Sequence, residues 1–309
     1  MGSTIHNWDM LERGYTMHHA ISQDKQGNIL ATVSKTSAKI ANGKDVRIND
    51  FIIMMDPEKG EILQEWDLVH MLDSARYGMT DYDLTSDPFA QSASNWAHNN
   101  GIVEWGDDYL ATARYQGIFK FNKAGGIEWI ISPHGYWRDK YLKLLLNPLH
   151  ADGTPITDPE VIAGTKNCDD FEWPWGCHTA VPLPNGHILY FNNGYGRNFK
   201  LDFTDRKNIY TCGIEYEVDE VNRTVRQVWQ YGKERGAAYF TPARSGVQYL
   251  EQTGNRLICP GMSNVLSNGN RGARVTEVDP ETQDVVFELE LEDAIYQRVY
   301  RMSLYPENQ

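Results

Sequence analysis

Histidine and arginine are the residues of this sequence whose types and spacing could do chemistry. His19, His98 and His178 each open a short apolar run, and Arg114 and Arg197 follow the second run of their own units. Arg197 comes soon after Asn192-Asn193-Gly194. An imidazole can act as acid, base or nucleophile, and a guanidinium fork binds two oxygens of a phosphate or sulfate at once. Two histidines and one or two arginines meeting in one mouth would suit a tetrahedral oxyanion. The same side chains could instead be polar groups satisfied at strand ends. Converging imidazoles could also bind a metal, but such sites usually add a carboxylate or a second histidine at short spacing, so no metal and no cofactor is expected.

Other candidates are weaker. Asp169, Asp170 and Glu172, like Asp81 and Asp83, fall in inserted loops and read as solvated turns. Asn222-Arg223-Thr224 matches a glycosylation sequon inside a tight hairpin, and Lys233-Glu234-Arg235 reads as a surface charge triplet. The nucleophile elbow, the P-loop and the dinucleotide fingerprint are all missing.

The elements that must position these residues are short strands. Runs of Val, Ile, Tyr, Phe, Trp and Thr alternate with Gly, Asn and Asp-Pro turns, the pattern of antiparallel sheet. The one helical stretch expected is Trp137 to Leu146. The strands recur as a unit. Units open at His19, His98, His178 and Ser245, and each continues into an apolar pair: Ile29-Leu30, Tyr109-Leu110, Ile188-Leu189 and Leu257-Ile258. Each closes on a strand with one large aromatic (Trp66, Trp129, Trp229 and Phe287), expected to pack between neighbouring units. Four strands per unit predict an all-β chain folded as a β-propeller. The innermost strands of a propeller line its channel, so the residues that open them converge on one mouth.

Residues 4 to 11 read as an orphan closing strand and residues 300 to 305 as an orphan opening one. Four complete units with two odd strands lead us to expect a single propeller domain over 1–309 that lacks part of an N-terminal region. Insertions at about 70–94 and 132–176 are expected to leave the blade edges and cap the mouth.

The chain has 309 residues with 42 acidic against 29 basic side chains, a net charge of −13. Hydrophobic residues are 41% and charged residues 23%, which excludes a disordered or collagen-like chain. That charge and the lack of a basic stripe argue against nucleic acid. No apolar run approaches the roughly 18 residues of a membrane span. An anion site must then be a local positive patch. Cys168 and Cys177 bracket a short loop and could pair in an oxidising compartment; all four cysteines could equally be buried thiols. The opening MGSTIHNWDM has no basic region followed by an apolar one, so no secretory leader is read in it.

Several motifs together resemble the bacterial arylsulfate sulfotransferase family. They are Asn95-Trp96-Ala97-His98-Asn99-Asn100, Ala113-Arg114-Tyr115-Gln116-Gly117, Cys177-His178-Thr179-Ala180 and Phe191-Asn192-Asn193-Gly194-Tyr195-Gly196-Arg197. Val228 to Gly236, reading VWQYGKERG, is the most specific. The resemblance runs from about residue 95 to 305. It implies a six-bladed propeller preceded by a small β-domain, a periplasmic location, and transfer of a sulfuryl group from a phenolic sulfate to a phenol without a nucleotide donor. A homodimer is possible. By motif, His98 and His178 would hold the sulfuryl oxygens or protonate the phenolate, and Arg197 would clamp the sulfuryl group, with Arg114, Asn193 and Asn264 lining the substrate.

One departure is sharp. Where the family carries its nucleophilic histidine, this chain reads Pro260-Gly261-Met262-Ser263-Asn264-Val265-Leu266, and no histidine follows His187. An amide nitrogen cannot carry a sulfuryl group at neutral pH. Either another histidine or direct attack by the acceptor takes over, or the propeller binds aryl sulfates without turning them over, or it hydrolyses a related ester.

Overall fold

A computed structural model describes residues 3–42, 45–76, 96–201, 204, 206–262 and 266–293. Strands dominate it and form four antiparallel sheets, the blades of a β-propeller. Blade one is β1 (Tyr15–Gln23), β2 (Ile29–Asn42), β3 (Asp45–Met55) and β4 (Ile62–Asp67). Blade two is β5 (Asn99–Trp105), β6 (Asp108–Ala113), β7 (Gly117–Phe121) and β8 (Ile127–Ile131). A short strand, β9 (Asn147–Leu149), precedes blade three, which is β10 (His178–Pro182), β11 (Ile188–Asn192), β12 (Cys212–Asp219) and β13 (Thr224–Tyr231). Blade four is β14 (Ser245–Tyr249), β15 (Arg256–Pro260), β16 (Gly272–Val278) and β17 (Val285–Glu292). All four expected units are present, each as one meander.

Blades pack face to face through alternating apolar residues. Trp66 of β4 lies between blades one and two, 4.9 Å from Tyr109 and 5.4 Å from Phe121 by ring centroid, and its indole donates to Lys123 O. Trp129 and Trp229 are buried in the same way, each such burial contributing about 2–3 kcal/mol. Phe287 departs from the expected pattern: it is about half exposed, on the outermost strand of blade four. The inner strands touch in chain order, β1 against β5, β5 against β10, and β10 against β14. Their starts therefore face one another.

The expected helix shrinks to the single turn Asp139–Leu142. Beyond it, Ile130 N–H donates to Leu144 O and Leu146 N–H to Ile130 O, so pairing with β8 replaces the helical ladder. One piece of the 132–176 insertion pairs at a blade edge: β9 joins β13 in parallel as a fifth strand. Its ends, at Pro133 and Trp175, border a small cavity beside Arg114, and Thr165 to Asn167 border another beside Arg197. Much of the 70–94 insertion, and residues 300–305, lie outside the described residues. Residues 4–9 form no strand. Instead the Trp8 indole donates to Pro57 O and lies on Gly60, where a Cβ would come within 2.6 Å of the ring.

The possible disulfide is not formed. Cys177 is buried in the core between blades two and three, while Cys168 donates its S–H to Asp170 in the insertion. No helix among the described residues is long and apolar enough to cross a membrane.

Candidate active site at the propeller mouth

The inner strands deliver their first side chains to the mouth through a repeated kink. Register slips between Met17 and Ile21 in β1, between Asn99 and Gly101 in β5, and between His178 and Ala180 in β10. At or beside these points non-glycine residues adopt left-handed backbone: His19 (φ 55°), His98 (φ 52°) and Thr179 (φ 47°). Arg244, just before β14, does the same (φ 59°). Such residues cost roughly 1–3 kcal/mol each unless held, and a bulge re-aims the side chain it carries. Thr32 holds the first kink: its hydroxyl donates to His18 O and accepts from Ala20 N–H at 3.1 Å. Asp50 holds the second, accepting from Asn99 N–H at 2.9 Å.

The result is a cluster of imidazoles from three blades. His19 Nε2 lies 3.1 Å from His98 Nε2, and the His19 and His178 rings are 6.4 Å apart by centroid. His178 is almost fully buried and its tautomer is set. Its Nδ1 faces two acceptors, Asn193 Oδ1 at 2.7 Å and Gly176 O at 3.2 Å, so Nδ1 carries the proton and Nε2 the lone pair. The Asn193 amide is itself oriented, because its Nδ2 donates to Thr241 O at 2.8 Å and Ser245 Oγ at 3.0 Å.

Arg114 is the cation of this cluster. Its guanidinium is buried, donates to Pro242 O at 2.8 Å and stacks over Tyr195 at 4.5 Å. Burial first, then repulsion from Arg114 and from other histidines, lowers the imidazole pKa values. His178 falls to about 3 and His98 falls well below its ordinary 6.5. His19, although solvent-exposed as a whole residue, also falls to about 3, through loss of hydration around its ring first and then His18, Arg114 and Arg244. The three are neutral at pH 7, the state in which an imidazole can attack or accept a proton.

The family model described as Arylsulfotransferase (ASST) matches residues 1–301. The chain belongs to the arylsulfotransferase family. It is 29% identical over 325 residues to the arylsulfate sulfotransferase AssT of Escherichia coli O6:H1, covering 95% of this chain and 54% of that one. It is also 29% identical to the AssT of Lelliottia amnigena, with the same coverage. The chain thus spans about half the length of the curated relatives it matches. The family match reaches back through blade one, further than the motifs legible after residue 95.

Of the site residues expected in this arylsulfotransferase-family chain, the structure brings His98, His178, Arg114 and Asn193 together. Arg197 has a different set of neighbours. Its guanidinium is buried against the Glu172 carboxylate and over the Tyr210 ring, at 4.0 Å to the centroid. It borders a separate cavity of about 350 Å³ with Lys166, Lys200 and Asn208. Glu172, expected to be a solvated turn residue, is in fact buried and also takes Lys233 at 3.5 Å, so the Lys233 end of that charge triplet is anchored too. Asn264 lies outside the described residues.

Three participants escaped the reading of single positions. His19 shared the slot of His98 and His178 without being assigned; His18 and Arg244 join it through the kinks, which no residue-type pattern announces. Away from the mouth, one trio among the described residues brings ligand-type atoms within 4.8 Å of one another: His150, Cys168 and Asp170, where the carboxylate accepts from the thiol and shares a proton with the imidazole.

Proposed function

We propose that this chain transfers a sulfuryl group from a phenolic sulfate ester to a phenol, with His178 as nucleophile, Arg114 as the sulfuryl clamp and His98 as acid and base. The observation that carries the reading is the fixed tautomer of His178: an Nε2 lone pair, held by Asn193, in a buried pocket beside a guanidinium. The proposal answers the substitution at Asn264 by moving the covalent role to an imidazole of blade three.

The chemistry balances as two displacements. His178 Nε2 attacks sulfur, the N–S bond forms, the S–O(aryl) bond breaks, and the departing phenolate takes a proton relayed through His98. The acceptor phenol then gives its proton to His98 as its oxygen bonds to sulfur, the N–S bond breaks, and His178 returns neutral. Charge on the sulfuryl oxygens and the leaving oxygen is stabilised by preorganised donors in a site that excludes water, which is where such donors act most strongly. The printed names of the relatives support the substrate class, and the family resemblance supports the periplasm as the compartment.

The test is direct. Incubation with 4-nitrophenyl sulfate and phenol should release nitrophenolate and form phenyl sulfate in equal amounts. Nitrophenolate with inorganic sulfate would instead make the protein a hydrolase. A thermal shift by the ester without release would make it a binding module.

A further inference from the structure

The mouth histidines do not end at His98. His98 Nε2 is 3.1 Å from His19 Nε2; His19 Nδ1 is 3.0 Å from His18 Nδ1; and His18 Nε2 is 3.7 Å from Asp50 Oδ1. His19 thus meets a neighbouring imidazole through each of its ring nitrogens, and His18 faces Asp50 through the nitrogen that His19 does not use. The chain begins at the mouth, where His98 and Tyr115 rings lie 6.0 Å apart, and ends on a buried carboxylate. We propose that His18 and His19 form a proton relay between His98 and Asp50, which positions and stores the proton that the two phenols exchange. This rests on the reading of His98 as the acid and base of the transfer.

The relay is geometrically built, not incidental. His18 and His19 are consecutive in a strand, so ordinary pleating would send their rings to opposite faces. The left-handed backbone at His19 brings them together, with ring centroids 5.1 Å apart and planes near perpendicular (83°). Asp50 ties the far end to the near one: its carboxylate faces His18 and accepts from Asn99 N–H, next to His98, and from Ser34 Oγ at 3.4 Å. His18 Nε2 is buried without a hydrogen bond and faces the Asp50 carboxylate at 3.7 Å, so the last transfer requires that contact to close by several tenths of an ångström. Arg114, Arg244 and His178 surround the other end and disfavour a resting positive charge there. A proton entering the wire is therefore driven toward Asp50.

The steps conserve atoms. When the acceptor attacks, its hydroxyl proton passes to His98 Nδ1, the His98 Nε2 proton to His19 Nε2, the His19 Nδ1 proton to His18 Nδ1, and the His18 Nε2 proton toward Asp50. Protonation of the departing phenolate runs the wire in reverse, and the cycle leaves it unchanged.

Donor basicity is the discriminating test. A good leaving group such as 4-nitrophenolate departs without a proton, whereas phenolate needs one. His19→Gln, with Ile21→Ala at an exposed position of the same strand as a control outside the wire, should cut turnover of phenyl sulfate by about tenfold or more and change that of 4-nitrophenyl sulfate by much less, steepening the dependence of rate on leaving-group basicity. An equal loss for both donors, with fold retained by circular dichroism, overturns the relay and leaves sulfuryl transfer standing. If no aryl sulfate is turned over, histidine ¹⁵N spectra still decide: His19→Gln should shift the titrations of both His18 and His98. Independent titration of those two rings overturns the wire whatever the activity.

Discussion

Two buried arginines of the same chain have opposite surroundings. Arg114 sits among imidazoles and tyrosine faces, whereas Arg197, one blade on, pairs with Glu172, with Lys233 and Tyr210 around the same carboxylate. Motif order marks both as oxyanion clamps. Their neighbours separate them: Arg197 commits one guanidinium nitrogen to a buried carboxylate, which ties it into the fold, while Arg114 donates to a backbone carbonyl beside neutral imidazoles.

The strongest way to break this contrast is at its centre. His178→Ala should abolish nitrophenolate release, a loss of about 10³-fold or more as expected for removing a nucleophile, while the melting curve stays cooperative. Activity at the wild-type rate would take His178 out of the site.

Next, Arg114→Gln and Arg197→Gln should fail differently. The first should lower kcat/KM by about 10²- to 10³-fold with a small change in melting temperature. The second leaves the buried Glu172 carboxylate to Lys233 and Tyr210 alone and should destabilise by about 3 kcal/mol, visible in denaturant titration before any specific kinetic defect. Stable, inactive Arg197→Gln protein would restore Arg197 as the clamp.

Asn193→Ala should be milder. It removes the shorter of the two acceptors that fix the His178 Nδ1 proton, leaving Gly176 O, and should reduce the rate by about tenfold or less with KM little changed. A rise in KM alone would assign Asn193 to substrate contact instead.

The smallest effect is in stability against pH. His19 and His178 titrate near 3 in the fold and near 6.5 when unfolded. Between those values the unfolded chain binds the extra protons, so stability is unaffected above about pH 6.5 and falls as pH drops toward 3. The difference between wild type and His19→Gln in urea midpoint should grow in that window. A difference that stays constant from pH 7 to pH 4 would contradict the depressed values.

The sequence by itself determined the blades and the candidates for the mouth. Gly27-Asn28, Asn185-Gly186 and Gly254-Asn255 end one strand and permit the next, and Trp66, Trp129 and Trp229 need two flanking sheets to be buried, so periodicity and turn chemistry carry that information locally. His98 and His178 were legible for the same reason, since inner strands start at equivalent places. Only the tertiary structure decided which charges meet. Glu172 is 25 residues from Arg197 across the β10–β11 hairpin, and Asp50 is 32 residues from His18 across β2, so neither partnership leaves a spacing to read. Left-handed turns at His19 and His98 depend on bonds from Thr32 and Asp50 that exist only once the sheets have formed, and it is those turns that convert separate imidazoles into one connected site.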